Sequence, residues 1–346
     1  MTLYRAQADV TVAAVKRVLV FCFVILTCAC SFFAWHVHHF LTTPGPALQR
    51  HVIVFIPQSS PLWKTAHILA SEGVITNARF FSWWARLTGA DRKVRSGEYL
   101  FTDPLSPLSV LHMLVNGKGL RHTITVTEGM TFKQIVSLLA RKGFGAEEQF
   151  LCLNIDTDFL ATWGLPPQGM EGYLYPDTYH FSWLAAPEAI LGRMIERFYK
   201  VMSPTMYRQI AAQHFSLHEA ITLASLIEKE TRLGTERSLV AAVFHNRLRI
   251  GMPLQCDPSV IYGLDEFDGN LTRQHLLAPT LYNTYLFRGL PPGPIASPGL
   301  ESMLAALNPA KIDYLYFVAR GDGSHVFSSD LEAHNRAVYR FQRRQF

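Results

Sequence analysis

Eighteen consecutive residues without a charge, Val18 to Trp35 (VLVFCFVILTCACSFFAW), constrain this chain more than any other stretch. Coiled as a helix they rise about 27 Å, close to the ~30 Å hydrocarbon thickness of a bilayer. Arg5, Lys16 and Arg17 precede them. By the positive-inside rule, residues 1–17 are then a short cytoplasmic tail, 18–36 a single transmembrane helix, and the rest of the chain lies outside the cytoplasm. A cleaved signal peptide fits less well, because the apolar run is long and no clear small-x-small site follows it. Lipid attachment at Cys28 or Cys30 fits poorly with the residues preceding them, Ile25-Leu26-Thr27 and Thr27-Cys28-Ala29.

Three of the five cysteines lie in this run, leaving Cys152 and Cys256 beyond it. One possible disulfide in the exported part is no disulfide framework. His36, His38 and His39 read as a juxtamembrane polar cluster, and no Cys/His spacing suggests zinc, so no metal is expected. With 346 residues, 49% hydrophobic and 17% charged, the chain can bury a sizeable core in about two domains and is not disordered. Its net charge of +5 is scattered, without a basic run or a nucleic-acid motif, which argues against a nucleic-acid partner.

The remainder reads as α+β. Residues 37–50 form a linker around Thr42-Thr43-Pro44-Gly45-Pro46. Residues 51–145 alternate short strands and helices: strand HVIVFI, a helix ending near Gly73, strand GEYLFT, a helix over Pro107 to Gly117, strand TITVTEG and helix TFKQIVSLLARKG. The two strand–turn–helix units make a weak internal repeat. Trp63, Phe80, Phe81, Trp83 and Trp84 could stack on sugars, but such spacing favours core for most of them. From residue 146 to 346 a second, mixed α+β domain is expected. Phe150 to Gln168 reads as a connector, EGYLYPDTY (171–179) as a binding loop, and 289–299, with four prolines and three glycines, as a rigid functional loop. Helices follow at 189–202, 204–214 and 302–307, then a hairpin over 314–328 and a closing helix over 331–344.

The chemistry concentrates in Ile221 to Gly263. Glu228 and Glu230 sit two apart at the end of a helix, on opposite sides. Glu230 continues the stripe of Leu223, Leu226 and Ile227, and Glu228 the weaker stripe of Ile221, Ala224 and Ser225. A carboxylic acid on an apolar face is partly desolvated, which favours its protonated form and suits a general acid. The alternative is a solvated helix end. No G-x-S-x-G, P-loop, H-E-x-x-H or G-x-G-x-x-G occurs. What remains is rich in carboxylates, amides and tyrosines, a set suited to binding and cutting a glycan.

These motifs resemble a known family. ASLIEKET, VAAVFHNRLRIGMPLQ, DPSVIYG, YNTY, GLPPGPIASPG and, upstream, EGYLYPDTY follow the order and spacing of the YceG-like endolytic murein transglycosylases (the MltG family). The resemblance implies a single-pass enzyme of the bacterial inner membrane with a LysM-like region over 51–145 and a catalytic domain over 146–346. It implies cleavage within peptidoglycan strands between N-acetylmuramic acid and N-acetylglucosamine, leaving 1,6-anhydro ends, without a cofactor. It places the catalytic acid on Glu230, and peptidoglycan synthases are the partners it suggests. Gln255, Asp257, Tyr262, Asn283 and Tyr285 are the candidates for holding sugar or orienting Glu230. The family has Thr or Ser where Cys256 stands, Thr at Ser259, and Asn or Thr at Ser297. Glu228 and Glu236 are expected in ion pairs, Glu236 with Arg232. Two rival readings remain: a membrane-anchored glycan binder without catalysis, and a hydrolase using Asp257 as second carboxylate.

Overall fold

The computed structural model describes residues 2–46, 51–57, 59–117, 119–183 and 185–343, with side chains from 20 to 342. The side chains of Arg5, Lys16 and Arg17, the linker's last residues 47–50, the turn residue Gln58 and the expected helix end at Arg344 lie outside that description. In order, the elements are α1 (Thr2–Thr42), β1 (Val52–Ile56), α2 (Leu62–Ser71), α3 (Ala78–Leu87), β2 (Gly97–Phe101), α4 (Pro107–Asn116), β3 (His122–Thr125), α5 (Phe132–Arg141), α6 (Glu147–Ile155), α7 (Thr157–Thr162), β4 (Thr178–Phe181), α8 (Pro187–Val201) and α9 (Pro204–Ala212). There follow α10 (Leu217–Glu230), a 3-10 turn (Gly234–Glu236), α11 (Arg237–Arg249), α12 (Asp257–Tyr262), α13 (Arg273–Leu276), α14 (Leu300–Leu307), β5 (Tyr316–Ala319), β6 (His325–Ser328) and α15 (Leu331–Val338), which ends in a π turn over Tyr339–Arg343.

The chain is α+β, and among the described residues six strands pair two by two. It divides into two compact units, 1–122 with 182–184, and 123–181 with 185–346. In the first unit α1 outruns the expected span. Its Val20–Thr42 segment is, among the described residues, the one helix long and apolar enough to cross a membrane. Phe21, Phe23, Phe32 and Trp35 point outward from it, a compatible surface for lipid and a costly one for water. β1 and β2 pair antiparallel, Val52 opposite Phe101 and Ile56 opposite Gly97, with α2 and α3 between them in sequence. Val54, Ile56, Ala66, Leu69, Phe81, Tyr99, Phe101, Val110 and Leu114 form this unit's core. Trp63 and Trp83 do not join it: they are 54% and 42% exposed, and of the five aromatics weighed for the core only Phe81 is fully buried.

The second unit has its own, larger core, built on α5, α8, α10 and α11. Two features depart from the sequence reading. The stretch 150–168, read as a connector, is mostly the helices α6 and α7, which bury Phe150, Leu153 and Leu160. Its periodicity is weak because these are short helices, each giving one or two residues to the core. The EGYLYPDTY segment is not a solvent-facing loop either. Tyr173, Tyr175 and Tyr179 are core residues. The Tyr179 hydroxyl donates to the Tyr175 carbonyl at 2.5 Å, and Asp177 pairs with Arg197 at 2.6 Å. The β5–β6 hairpin forms as expected, with Tyr316 opposite Ser328.

Candidate active site

α10 starts with a reciprocal capping box. The Ser216 hydroxyl accepts from Glu219 N, and the Glu219 carboxylate accepts from Ser216 N. From Ala220 to Ile227 every residue is buried, so the helix runs through the core and has no single apolar face. The contrast of stripes that favours Glu230 in the sequence therefore vanishes in the fold, and so does the solvated helix end.

The two glutamates are separated by their partners instead. Glu228 is built into the structure: its carboxylate accepts from Gly299 N at 3.0 Å and pairs with Arg237 at 3.4 Å. One turn earlier, the Ser225 hydroxyl donates to the Thr222 carbonyl and accepts from Ile295 N at 3.0 Å. α10 thus grips the proline-rich loop at Ile295 and Gly299. Gly299 lies so close to the Glu128 carboxyl that a β-carbon there would collide with it. Glu236 accepts from His325 N at 2.9 Å and meets its Nδ1 at 2.7 Å. Its partner is thus His325 in β6 and not Arg232, because the 3-10 turn over Gly234–Glu236 breaks the helical spacing that a one-turn pair requires.

Glu230, the last residue of α10, meets a different environment. Part of the residue remains open to solvent, but its carboxyl is enclosed, and desolvation pushes its pKa up to about 7. The negative charge of Asp257 adds to that rise; a hydrogen bond from Cys256 and the cation of Arg247 oppose it. The Cys256 thiol is itself raised by burial, so it remains protonated and donates. Arg247, missed in the sequence, is nearly buried. Its guanidinium donates to the carbonyls of Leu315, Pro253 and Leu254 and to Oε1 of Gln255 at 3.2 Å, which fixes the loop that bears Gln255, Cys256 and Asp257. The signal for it is slight: one arginine on the α11 face otherwise occupied by Val240, Val243 and Phe244.

The five candidates for sugar contact fall into three situations. Gln255 and Asp257 are exposed beside Glu230. Gln255 holds a left-handed backbone, φ 49°, a strained state for a residue with a side chain, stabilised by its N–H bond to Thr284 O at 3.1 Å. The Tyr285 hydroxyl donates to Asp257 at 2.5 Å, which brings it into the same group. Asn283 is fully buried, its amide donating to Leu276 O and Ala278 O and accepting from Tyr285 N. It shapes the loop that presents Tyr285. Tyr262 stands elsewhere, donating to Glu171 at 3.1 Å. Of the positions where the sequence differs from the pattern it resembles, Ser259 is internal to the packing, its hydroxyl 2.8 Å from that of Thr284, whereas Cys256 faces the site: its N donates to Thr284 and its thiol bonds Glu230.

Glu171 is the residue the sequence reading left without a role, although it opens EGYLYPDTY. Both its oxygens accept from Phe132 N at 3.0 Å, and Gly172 N and the Tyr262 hydroxyl add further donors. Burial outweighs these and lifts its pKa to about 7. Gly172 follows with φ 83°, where a β-carbon would lie 2.6 Å from Pro294. Among the described residues no group of His, Cys, Asp and Glu is placed to hold a metal.

The chain is 32% identical over 308 residues to an endolytic murein transglycosylase of Bacillus subtilis strain 168, covering 84% of both chains. It is 29% identical over 322 residues to an endolytic murein transglycosylase of Streptococcus pneumoniae, of whose length the match spans 58%. A crystal structure of a YceG-like protein from Listeria monocytogenes is similar in fold, with a TM-score of 0.58, 31% identity, and 84% of this chain and 99% of that one covered. Residues 54–340, most of both compact units, match the model of the YceG-like family, so the chain belongs to that family.

Proposed function

We propose that this protein is an endolytic peptidoglycan transglycosylase, held in the bacterial inner membrane by α1, with Glu230 as its catalytic acid and base. The observation that carries the reading is the Glu230 carboxyl at the end of a core helix. It is protonated to near neutrality and stands beside the loop of exposed Gln255 and Asp257, with half-buried Tyr285 bonded to Asp257. Curated relatives that bear the activity in their names support it.

Protonated Glu230 gives its proton to the oxygen bridging N-acetylmuramic acid and N-acetylglucosamine as the C1–O bond breaks. Positive charge then develops at the muramyl C1. The 6-hydroxyl of the same sugar attacks C1, and ionised Glu230 takes the proton released. One carboxyl serves both steps because the nucleophile is tethered to the substrate, and no water is consumed. Cys256 and Arg247 stabilise the ionised form that appears midway. Gln255, Asp257 and Tyr285 bind the sugars or orient Glu230, and Asn283 positions the Tyr285 loop. The strand–helix–helix–strand arrangement of β1, α2, α3 and β2 supports a LysM-like glycan-binding role within residues 51–145, whose last strand and helix, β3 and α5, lie mainly in the second unit. Peptidoglycan synthases are partners that the family resemblance implies.

The test is a digest of purified sacculi by the full chain and by Glu230→Gln, with muropeptides read by mass. Anhydromuramyl ends from the parent, and none from a folded Glu230→Gln, are expected. Undiminished anhydro ends from the variant would exclude Glu230. Reducing muramic ends from the parent would point to hydrolysis with Asp257 as second carboxylate. No new ends at all would leave a binding protein.

A further inference from the structure

We propose that the cavity beside Glu171 is a second carbohydrate subsite, which takes an N-acetylated sugar of the glycan strand away from the bond that Glu230 acts on. This rests on the glycan reading above, but on different residues.

The cavity holds about 520 Å³, within the ~300–1,000 Å³ typical of small-ligand sites. α12 ties it to the active site. Asp257, its first residue, meets Tyr285 beside Glu230; Tyr262, its last, meets Glu171 at the cavity wall. Five helical steps rise about 7.5 Å, so the two carboxyls flank opposite ends of one short helix. A strand lying along α12 would meet both.

The lining matches a neutral sugar. The Tyr262 and Tyr282 rings pack with centroids 4.8 Å apart and give an aromatic face, which Phe267 extends at the rim. Aromatic faces bury the C–H side of a sugar ring. Asn154 and Gln168 add amides. Asn154 spends its Oδ1 on Met170 N at 2.7 Å, while its NH2 group has no protein partner among the described residues, a free donor for an acetamido carbonyl. The charges cancel: Lys133 and Asp265 are both exposed at the mouth, and Glu171 is already satisfied by its own donors. With opposite charges at the mouth and Glu171 enclosed, the lining carries no net charge that would select an ammonium or a carboxylate of a stem peptide, whereas hydroxyl and acetamido groups need none.

The walls are also fixed. His218 receives a hydrogen bond at Nδ1 from Tyr173 and donates from Nε2 to the Pro292 carbonyl at 2.9 Å, so the proline-rich loop is anchored where it borders the cavity. A preformed site binds without the cost of ordering its walls.

The experiment uses the full-length Glu230→Gln chain in detergent, titrated by calorimetry with peptide-free glycan strands of increasing length. Phe267→Ala and Gln168→Ala are introduced separately; both residues are exposed at the rim, so the fold is kept, as circular dichroism checks. Each is expected to weaken binding of long strands about five- to tenfold, the loss of one good contact, and to flatten the gain in affinity with strand length. Unchanged affinity in both variants, with the parent still releasing anhydro ends from sacculi, would overturn the subsite and leave the proposed activity standing. Binding that requires stem peptides would overturn it equally. Weakened binding in a protein that releases no ends would uphold the subsite and remove the activity.

Discussion

At the scale of single residues, Glu230 opposes the stability of the fold it serves. Its carboxyl is raised to about 7 from an ordinary value near 4.5. Between these values the native state keeps a proton that the unfolded chain has released. The carboxyl's contribution to stability is therefore intact below about pH 4.5 and lost as pH rises through 7. Glutamine has no proton to lose. Glu230→Gln is thus expected to match the parent near pH 4 and to exceed it at pH 8 by about 1–3 kcal/mol, discounted for the residue's partial exposure. Glu171 is raised by burial as well, but it is present in both proteins and drops out of the difference. Urea unfolding at the two pH values measures it. A gap that does not widen with pH would mean that the carboxyl is not held protonated by its surroundings. The motif marks Glu230 and the apolar stripe points to partial desolvation, but the groups that enclose and tune the carboxyl were not legible in the sequence. The desolvation, the Cys256 thiol and the Arg247 cation come from α11 and from the loop before α12, and only the fold brings these to the end of α10.

At the scale of elements, the link between α10 and the proline-rich loop is what the sequence came nearest to giving and did not complete. Pattern identified α10, the hairpin and the rigid proline-rich loop, since periodicity and prolines act locally. Partners distant in the chain could not be read: Ser225 with Ile295, Glu228 with Gly299, Glu236 with His325. For the same reason EGYLYPDTY reads as a loop by composition and yet folds as core, its tyrosines buried against α8 and α10. The side chain of Glu228 is only 7% exposed, and its removal leaves Gly299 N and the Arg237 guanidinium without this acceptor. Glu228→Ala is expected to cost about 2–4 kcal/mol and to open the segment 289–299 to proteolysis. Glu228→Gln, which keeps an acceptor, is expected to cost less. Thermal melts and limited digestion report both effects. An unaltered melt and an intact loop in Glu228→Ala would show that α10 does not hold the loop.

At the scale of the whole molecule, the cysteines make measurable which side of the membrane the folded units occupy. Cys22, Cys28 and Cys30 lie on the apolar helix α1; Cys152 is exposed on α6; Cys256 is buried with its thiol bonded to Glu230. Cys152 and Cys256 are both free thiols, so the one disulfide the sequence allowed does not form. Thiol reactivity follows the exposed, ionisable sulfur, and burial holds the Cys256 thiol protonated. If α1 spans the inner membrane with its basic start inside, a membrane-impermeant maleimide added to intact spheroplasts should label the chain once, at Cys152. Cys152→Ser should abolish that labelling, and Cys256 should react only after denaturation. Labelling of Cys152 that appears only after lysis would place the folded units in the cytoplasm, away from the periplasmic glycan. That result would separate the fold, which would stand, from the topology on which the proposed activity depends.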